Sequence, residues 1–262
     1  MNGTTPSGGG LRTRREPPPF RHVSVVGLDH LTPHARRVVF DGPELGELIV
    51  DEPAASVRLL LPSPGTSDLV IPTWNGNEFL LANAQRPTIR TFTPIRLSGA
   101  ASELVLDIVL HGSGAASEWA TAAAVGDRAA ISGPGRGYVA DPDASSFLLV
   151  GDESAVPAIG QLLASLPSEC PVHAGIEVTS PEAIRDLPGR SAARVDWRVL
   201  PEGAPPGTAQ FEYVRSATVD AGVRIWAAGE AAAMQRIRRH LFGDRGVDRS
   251  STMIRGYWKR SS

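Results

Sequence analysis

Alternation of apolar and polar positions dominates the first half of the chain. Arg21–Leu28, His34–Phe40, Ser56–Leu61, Ile89–Leu97, Glu103–Leu110 and Arg128–Ser132 are short and rich in β-branched or alternating apolar residues, which predicts six strands. Turn-forming residues separate them at Asp29–Pro33, Pro62–Asp68 and Ser98–Ser102. A single helical stretch, Ala115–Ala124, interrupts the series. Short strands with one helix predict a closed, six-stranded antiparallel β-barrel. Leu69–Pro87 breaks the alternation with Pro72, Trp74, Asn75, Gly76 and Asn77, and reads as a long loop near a site.

After Gly133-Pro134-Gly135 the pattern changes. Phe147–Val150 is a continuous apolar run, as in a strand buried on both faces of a parallel sheet, and Val172–Val178, Val195–Leu200 and Val223–Ala228 repeat it. Ala155–Leu166 and Ala231–Phe242 carry helical spacing. Alternating strands and helices predict an α/β domain with a parallel sheet and right-handed crossovers. The expected layout is a disordered tail over residues 1–19, a barrel over 20–142 and an α/β domain over 143–262, with Asp141-Pro142-Asp143 at the break.

Composition removes several function classes. Hydrophobic residues make up 42% and charged residues 21%, as in an ordinary soluble globular chain. Lys and Arg total 26 against 28 Asp and Glu, a balance that argues against nucleic acid as partner. Cys170 is the one cysteine, so neither an internal disulfide nor a zinc site is expected, and a reducing, cytoplasmic setting is. No apolar run reaches the length of a membrane span, so no stable membrane association is expected. Met1–Pro19, rich in Gly, Pro and Arg, lacks the apolar centre of a signal peptide and reads as a solvated tail.

Two segments carry candidate chemistry. Arg90-Thr91-Phe92-Thr93 lies on one predicted strand and offers a cation, a ring face and hydroxyl groups. A guanidinium presents a planar fork of donors suited to phosphate; the same residue is equally compatible with an ordinary surface arginine. Pro94 suggests that strand pairing ends there. The loop from His111 through Gly112, Ser113, Gly114, Ala115 and Ala116 to Ser117 follows a strand and opens a helix, where unpaired N–H groups attract phosphate. It lacks the full G-x-G-x-x-G spacing, and His111 suits either a cofactor contact or a backbone partner. A flat, phosphorylated cofactor, a flavin dinucleotide, satisfies both segments.

Three further segments complete the set. Gly151-Asp152-Glu153-Ser154-Ala155 follows the first parallel strand, where open α/β sheets bind ligands, and Ser154 suits a helix cap. Gly229-Glu230 repeats that placement after Val223–Ala228. Arg255-Gly256-Tyr257-Trp258-Lys259-Arg260 joins two aromatics to three cations that would steer an anionic substrate. Arg185, Arg190 and Arg194 read as ordinary surface arginines, and no basic cluster marks a 2′-phosphate site. No metal site is expected.

Taken in order, these segments resemble the siderophore-interacting proteins, flavin-dependent ferric-siderophore reductases within the wider ferredoxin-reductase-like superfamily. The family's R-x-[YF]-T is matched by Arg90 to Thr93, and its H-G-x-G-P-A-S-x-W-A by His111 to Ala120. G-D-E-T-A-L-P-A-I is matched by Gly151 to Ile159, with Ser154 for Thr and Val156 for Leu. W-x-A-G-E is matched by Trp226 to Glu230, and G-Y-W-R-R-G by Gly256 to Ser261. The chain departs in having Ala115 for the usual proline, and Ile95 with Arg96 beside it where an arginine often follows the first motif.

The resemblance implies an FAD site formed by Arg90, Thr91, Phe92, Thr93, Arg96, Val109, His111, Gly112, Gly114, Ala115, Ala116, Ser117, Trp119, Tyr257 and Trp258. It implies a nicotinamide side formed by Asp152, Glu153, Ser154, Ala155, Gly229 and Glu230, and a ferric-siderophore contact by Arg255, Lys259 and Arg260. No side chain is needed as acid or base; NADH or NADPH would reduce FAD, and FAD would reduce Fe³⁺. A general flavin reductase or diaphorase of the same fold, and a non-catalytic siderophore or flavin carrier, are the alternatives.

Overall fold

The computed structural model describes residues 16–98, 103–112, 114–187 and 192–260. The first half runs β1 (Arg21–Thr32), β2 (Ala35–Asp41), β3 (Val57–Leu61), β4 (Thr73–Trp74), β5 (Phe79–Leu80), β6 (Thr88–Phe92), β7 (Pro94–Ser98), β8 (Glu103–Val109), α1 (Ala115–Ala122) and β9 (Arg128–Ser132). Seven of these strands form one antiparallel sheet in the order β6-β3-β9-β1-β2-β8-β7. The two edges of that order, β6 and β7, are consecutive in the chain and separated only by Thr93. A sheet whose edges are joined by one residue must roll up, so the sheet is a barrel.

The six expected strands are therefore seven. The predicted strand Ile89–Leu97 pairs with β3 up to Phe92, then with β8 from Pro94 onward. Proline lacks a ladder N–H and fixes its own φ, which favours a break at that residue. The expected turn at Asp29–Pro33 is also displaced: β1 continues to Thr32, with a register shift between His30 and Thr32, and the turn is Pro33-His34. Leu69–Pro87, expected as loop, contains the β4–β5 hairpin, in which Asn75 Oδ1 accepts from the N–H groups of Asn77 and Glu78 at 2.9 Å each. Phe79 of the hairpin meets Trp74 and Phe20 edge to face, at 5.1 and 5.2 Å.

Alternation fills the barrel. Val23 and Val25 of β1, Val38 and Phe40 of β2, Leu59 of β3 and Leu104, Leu106 and Ile108 of β8 point into one cluster. Each such side chain stabilises by about 1.5–3 kcal/mol on leaving water. β8 is buried on its other face too, by Val105 and Asp107, because the second half of the molecule packs there.

The second half runs β10 (Ser146–Asp152), α2 (Val156–Ser165), β11 (Val172–Val178), β12 (Ala193–Val199), α3 (Thr208–Ser216), β13 (Val223–Glu230), α4 (Ala231–Arg239) and β14 (Thr252–Trp258). The five strands are parallel, ordered β12-β11-β10-β13-β14. Phe147 and Leu149 of β10 pack with α2, while Leu148 and Val150 pack with α3 and α4 on the opposite face. α3 and β14 were not expected. The C-terminal aromatic and basic segment is an edge strand rather than a tail, with Thr252 beside Ile225 and Ile254 beside Ala227. Among the described residues no helix is long and apolar enough to cross a membrane.

The halves are joined by a stitched linker. Gly135 N–H donates to the Ser56 carbonyl at 2.7 Å, Gly137 N–H to the Glu52 carboxylate at 2.9 Å and Tyr138 N–H to the Pro53 carbonyl at 2.8 Å. Arg255 of β14 donates to the Arg136 carbonyl at 2.9 Å.

Candidate functional site

The break at Thr93 opens a seam in the barrel. The chain leaves β3 there and joins β8, and the loop after β8 sits at the same end of the barrel as Arg90. Thr93, between the two strands, is 5% exposed. Arg90 is exposed and donates to the Ile89 carbonyl at 2.8 Å; no carboxylate among the described residues pairs with it. Thr91 is exposed beside Arg58 on β3, and Phe92 lies opposite Val57 and packs on the barrel core. The Arg96 side chain and Ser113 lie outside the described residues.

The glycine loop holds its shape with its own side chains. Gly112 and Gly114 have φ of +72° and +86°, a region that favours glycine, and a Cβ at Gly112 would meet nothing within 4 Å. His111 is exposed, and its N–H donates to Ser117 Oγ at 3.0 Å. Gly114 N–H donates to Glu118 Oε1 at 3.1 Å, so one donor at this helix start is already used. Ala116 and Trp119 turn inward onto the barrel core, the Trp119 ring parallel to Phe40 at 6.1 Å, and Ala115 is half-buried. The donor set along the seam combines an exposed guanidinium with no carboxylate partner among the described residues, an exposed imidazole, open backbone at Gly112 and a covered hydroxyl. That chemistry fits a ligand with phosphates at one end and a planar ring at the other.

Across from the seam lies the carboxyl edge of the parallel sheet. The strand order reverses between β10 and β13, so Asp152 and Glu230 end neighbouring strands at the switch point. Asp152 is almost fully buried. Its Oδ1 accepts from Ser154 N–H at 3.0 Å and Ser154 Oγ at 2.5 Å; its Oδ2 accepts from Glu230 N–H at 3.1 Å and Trp258 Nε1 at 2.8 Å. Burial pushes the carboxyl up to about 6, against the pull of the Ser154 and Trp258 hydrogen bonds. A Cβ at Gly229 would stand 2.6 Å from Asp152 Oδ2 and 2.8 Å from Gln210 Nε2, so only glycine lets β13 end this close. Glu230 Oε2 caps α4 by accepting from Ala233 N–H at 2.9 Å. Ala155 is buried beneath α2.

Distant motifs meet here. Tyr257 reaches Thr93; burial raises the tyrosine's pKa, and its hydrogen bond with Thr93 pulls the other way. Trp258 is tied to Asp152 through its indole N–H. Glu153 points elsewhere: its carboxylate accepts from Thr179 N–H and Oγ1, both at 2.6 Å. With Val109, Thr32, Ala35 and Arg185 it lines a shallow cleft between the halves. Arg255 is engaged by the linker carbonyls, which leaves Lys259 and Arg260 as exposed cations at this edge.

Several residues with clear work were not singled out from sequence. Asp107 binds Arg37 through Nε at 2.8 Å and Nη2 at 3.1 Å, and Arg185 of the other half through Nη1 at 2.7 Å. The Asp107 hydrogen bond is the main cause that raises the Arg37 pKa. Arg185 is thus an interface residue rather than a plain surface arginine, and Arg190 lies outside the described residues. Glu177 accepts from the N–H groups of Gly207, Ala209 and Gln210 at 2.6, 2.7 and 3.2 Å, closing the start of α3. An acid inside an apolar strand run was the available signal for both Asp107 and Glu177.

Comparison with known proteins covers almost the whole chain. Residues 24–138 match the siderophore-interacting FAD-binding domain, and residues 144–261 match the siderophore-interacting protein family. A siderophore utilization protein from T. fusca superimposes with a TM-score of 0.82 at 33% identity, covering 94% of this chain and 96% of its own. The ferric vibriobactin reductase ViuB of Vibrio cholerae is 25% identical over 92% of this chain and 89% of its own. The NADPH-dependent ferric-chelate reductase of Escherichia coli is 25% identical over 91% of this chain and 92% of its own. The architecture is ferredoxin-reductase-like.

Proposed function

Because this chain belongs to the siderophore-interacting protein family, we propose that it is an FAD-dependent reductase that carries electrons from NADH or NADPH to the Fe³⁺ of a ferric siderophore and releases Fe²⁺ in the cytoplasm. One observation carries the reading: a seam in the barrel that presents Arg90 and an open glycine loop lies opposite the switch point of a parallel sheet. Bound FAD supplies a carrier that accepts two electrons together and passes them on singly, as a nicotinamide donor and a ferric acceptor require.

The chain's own groups bind and orient. Arg90 offers its fork to phosphate, and the Gly112–Ser117 loop admits phosphate close to the backbone. Thr93 would hold the ring edge of the bound flavin by a hydrogen bond. Ser154 and Gly229 line the crevice on the nicotinamide side, and Lys259 and Arg260 draw in an anionic iron complex. No proton transfer by a side chain is required; positioning carries the rate.

The test is spectroscopic. Purified protein titrated with FAD develops a bound-flavin spectrum, and Arg90→Ala weakens that binding by about 2 kcal/mol, the scale of a lost charge-assisted bond. Under nitrogen, NADH or NADPH bleaches the flavin band, and a ferric siderophore restores it while a ferrous chelator captures Fe²⁺. A protein that stays colourless with FAD overturns the reading. Reoxidation by quinones or free flavin but not by ferric siderophores assigns a general flavin reductase instead.

A further inference from the structure

One amide spans the two halves of the molecule at the barrel seam. Gln161 lies on α2, and its Oε1 accepts from Ala54 N–H at 2.8 Å. Its Nε2 donates to the Pro94 carbonyl at 2.6 Å. A carboxamide is suited to this task because it carries an acceptor and a donor at a fixed spacing. Pro94 follows Thr93 at the point where the chain leaves β3 and joins β8. With no N–H to give, Pro94 can be gripped through its backbone only at its carbonyl.

The other end of the strut is anchored as well. Ala54 is buried and sits between Pro53 and Ser56, whose carbonyls accept from the linker at Tyr138 and Gly135. The Thr93-Pro94 corner is therefore referenced to the linker and to α2, not to the barrel ladder alone. Tyr257, also from the second half, reaches the same corner at Thr93.

We propose that Gln161 is a positioning residue for the flavin edge: by holding the Pro94 carbonyl against the Ala54 amide, it sets where Thr93 meets the ring. The proposal rests on the assignment of the seam to FAD. Gln161→Met keeps the length and removes both hydrogen bonds. Gln161→Glu keeps the acceptor for Ala54 but, when ionised, sets an oxygen against the Pro94 carbonyl. The readouts are the FAD dissociation constant, the position and fine structure of the visible flavin band, and the midpoint potential.

At pH 8 both variants bind FAD about tenfold more weakly, on the scale of a broken buried hydrogen bond, and the band of the bound flavin is displaced. Acidification to pH 5 returns the Gln161→Glu band toward wild type, because the protonated carboxyl again donates to Pro94; the Gln161→Met band does not return. Folded variants with wild-type band, affinity and potential at pH 8 overturn the proposal. So does a Gln161→Glu protein whose band ignores pH. Should Gln161→Met fail to fold, the pH response of Gln161→Glu decides alone. Arg90→Ala separates the two levels: it weakens FAD without displacing the band of what remains bound. Absence of FAD binding by the wild type sinks the seam assignment itself.

Discussion

The barrel seam and the carboxyl edge of the parallel sheet face one another with opposite habits. Along the seam, Arg90 has no carboxylate partner among the described residues, His111 is exposed and Gly112 opens onto empty space. Along the sheet edge, Asp152 accepts four hydrogen bonds, Glu177 three, and Glu230 caps its helix. One wall leaves its guanidinium without a carboxylate, and the other satisfies its carboxylates internally. An unsatisfied group near solvent is available to a ligand, whereas a buried group with its bonds made is part of the framework. Substitutions on the sheet edge should therefore cost stability, and substitutions along the seam should cost binding.

The sharpest way to break this contrast is Glu177→Gln. The amide nitrogen would face backbone N–H groups, leaving buried donors without an acceptor. The expected loss is about 3–4 kcal/mol in urea unfolding; a loss below about 1 kcal/mol would mean the α3 start does not depend on this carboxylate. Next is the pH profile. The Asp152 carboxyl stands at about 6 in the folded chain against an ordinary 3.8. The folded state thus keeps a proton that the unfolded state releases. The stability this confers is complete below about pH 4, declines as pH rises, and is gone above about pH 6, a change of about 2–3 kcal/mol. Asp152→Asn should flatten that interval in denaturation measured at successive pH values.

Trp258→Phe is milder. It removes one donor to Asp152, costs about 1 kcal/mol, and moves the midpoint of the same profile upward, because that hydrogen bond holds the carboxyl down. The smallest expected effect lies on the other wall. Arg90→Ala should leave the unfolding free energy within about 0.5 kcal/mol of wild type while FAD affinity falls. A large loss of stability in that variant would erase the distinction between the two walls.

The fold was legible where periodicity was strong. Val172–Val178 and Arg128–Ser132 occupy the residues their apolar pattern indicates. It was less legible where burial is carried by polar groups. α3 buries Gln210 together with Tyr213 and Val214, too short and mixed a stripe to stand out over nine residues. β14 includes Arg255 and Gly256, which masks an edge strand as a basic tail. The split at Thr93 had a visible sign in Pro94, yet its consequence, a chain that steps from one sheet edge to the other, follows only from pairing. The candidate site divides in the same way. Arg90, Thr93 and the glycine loop are local patterns. Gln161, Glu177 and Asp107 act on partners 30 to 107 positions away, and no local spacing encodes such a pairing.

The linker stitching bears on how anything reaches the crevice. Hydrogen bonds from Gly135, Gly137 and Tyr138 fasten the linker to the 52–56 segment, and Arg255 to Arg136, Gln161 to Ala54 and Pro94, and Arg185 to Asp107 brace the second half against the first. A visitor to the gap finds jaws already set. Those braces would have to break for the two halves to close around what arrives, so girth and approach angle should govern admission.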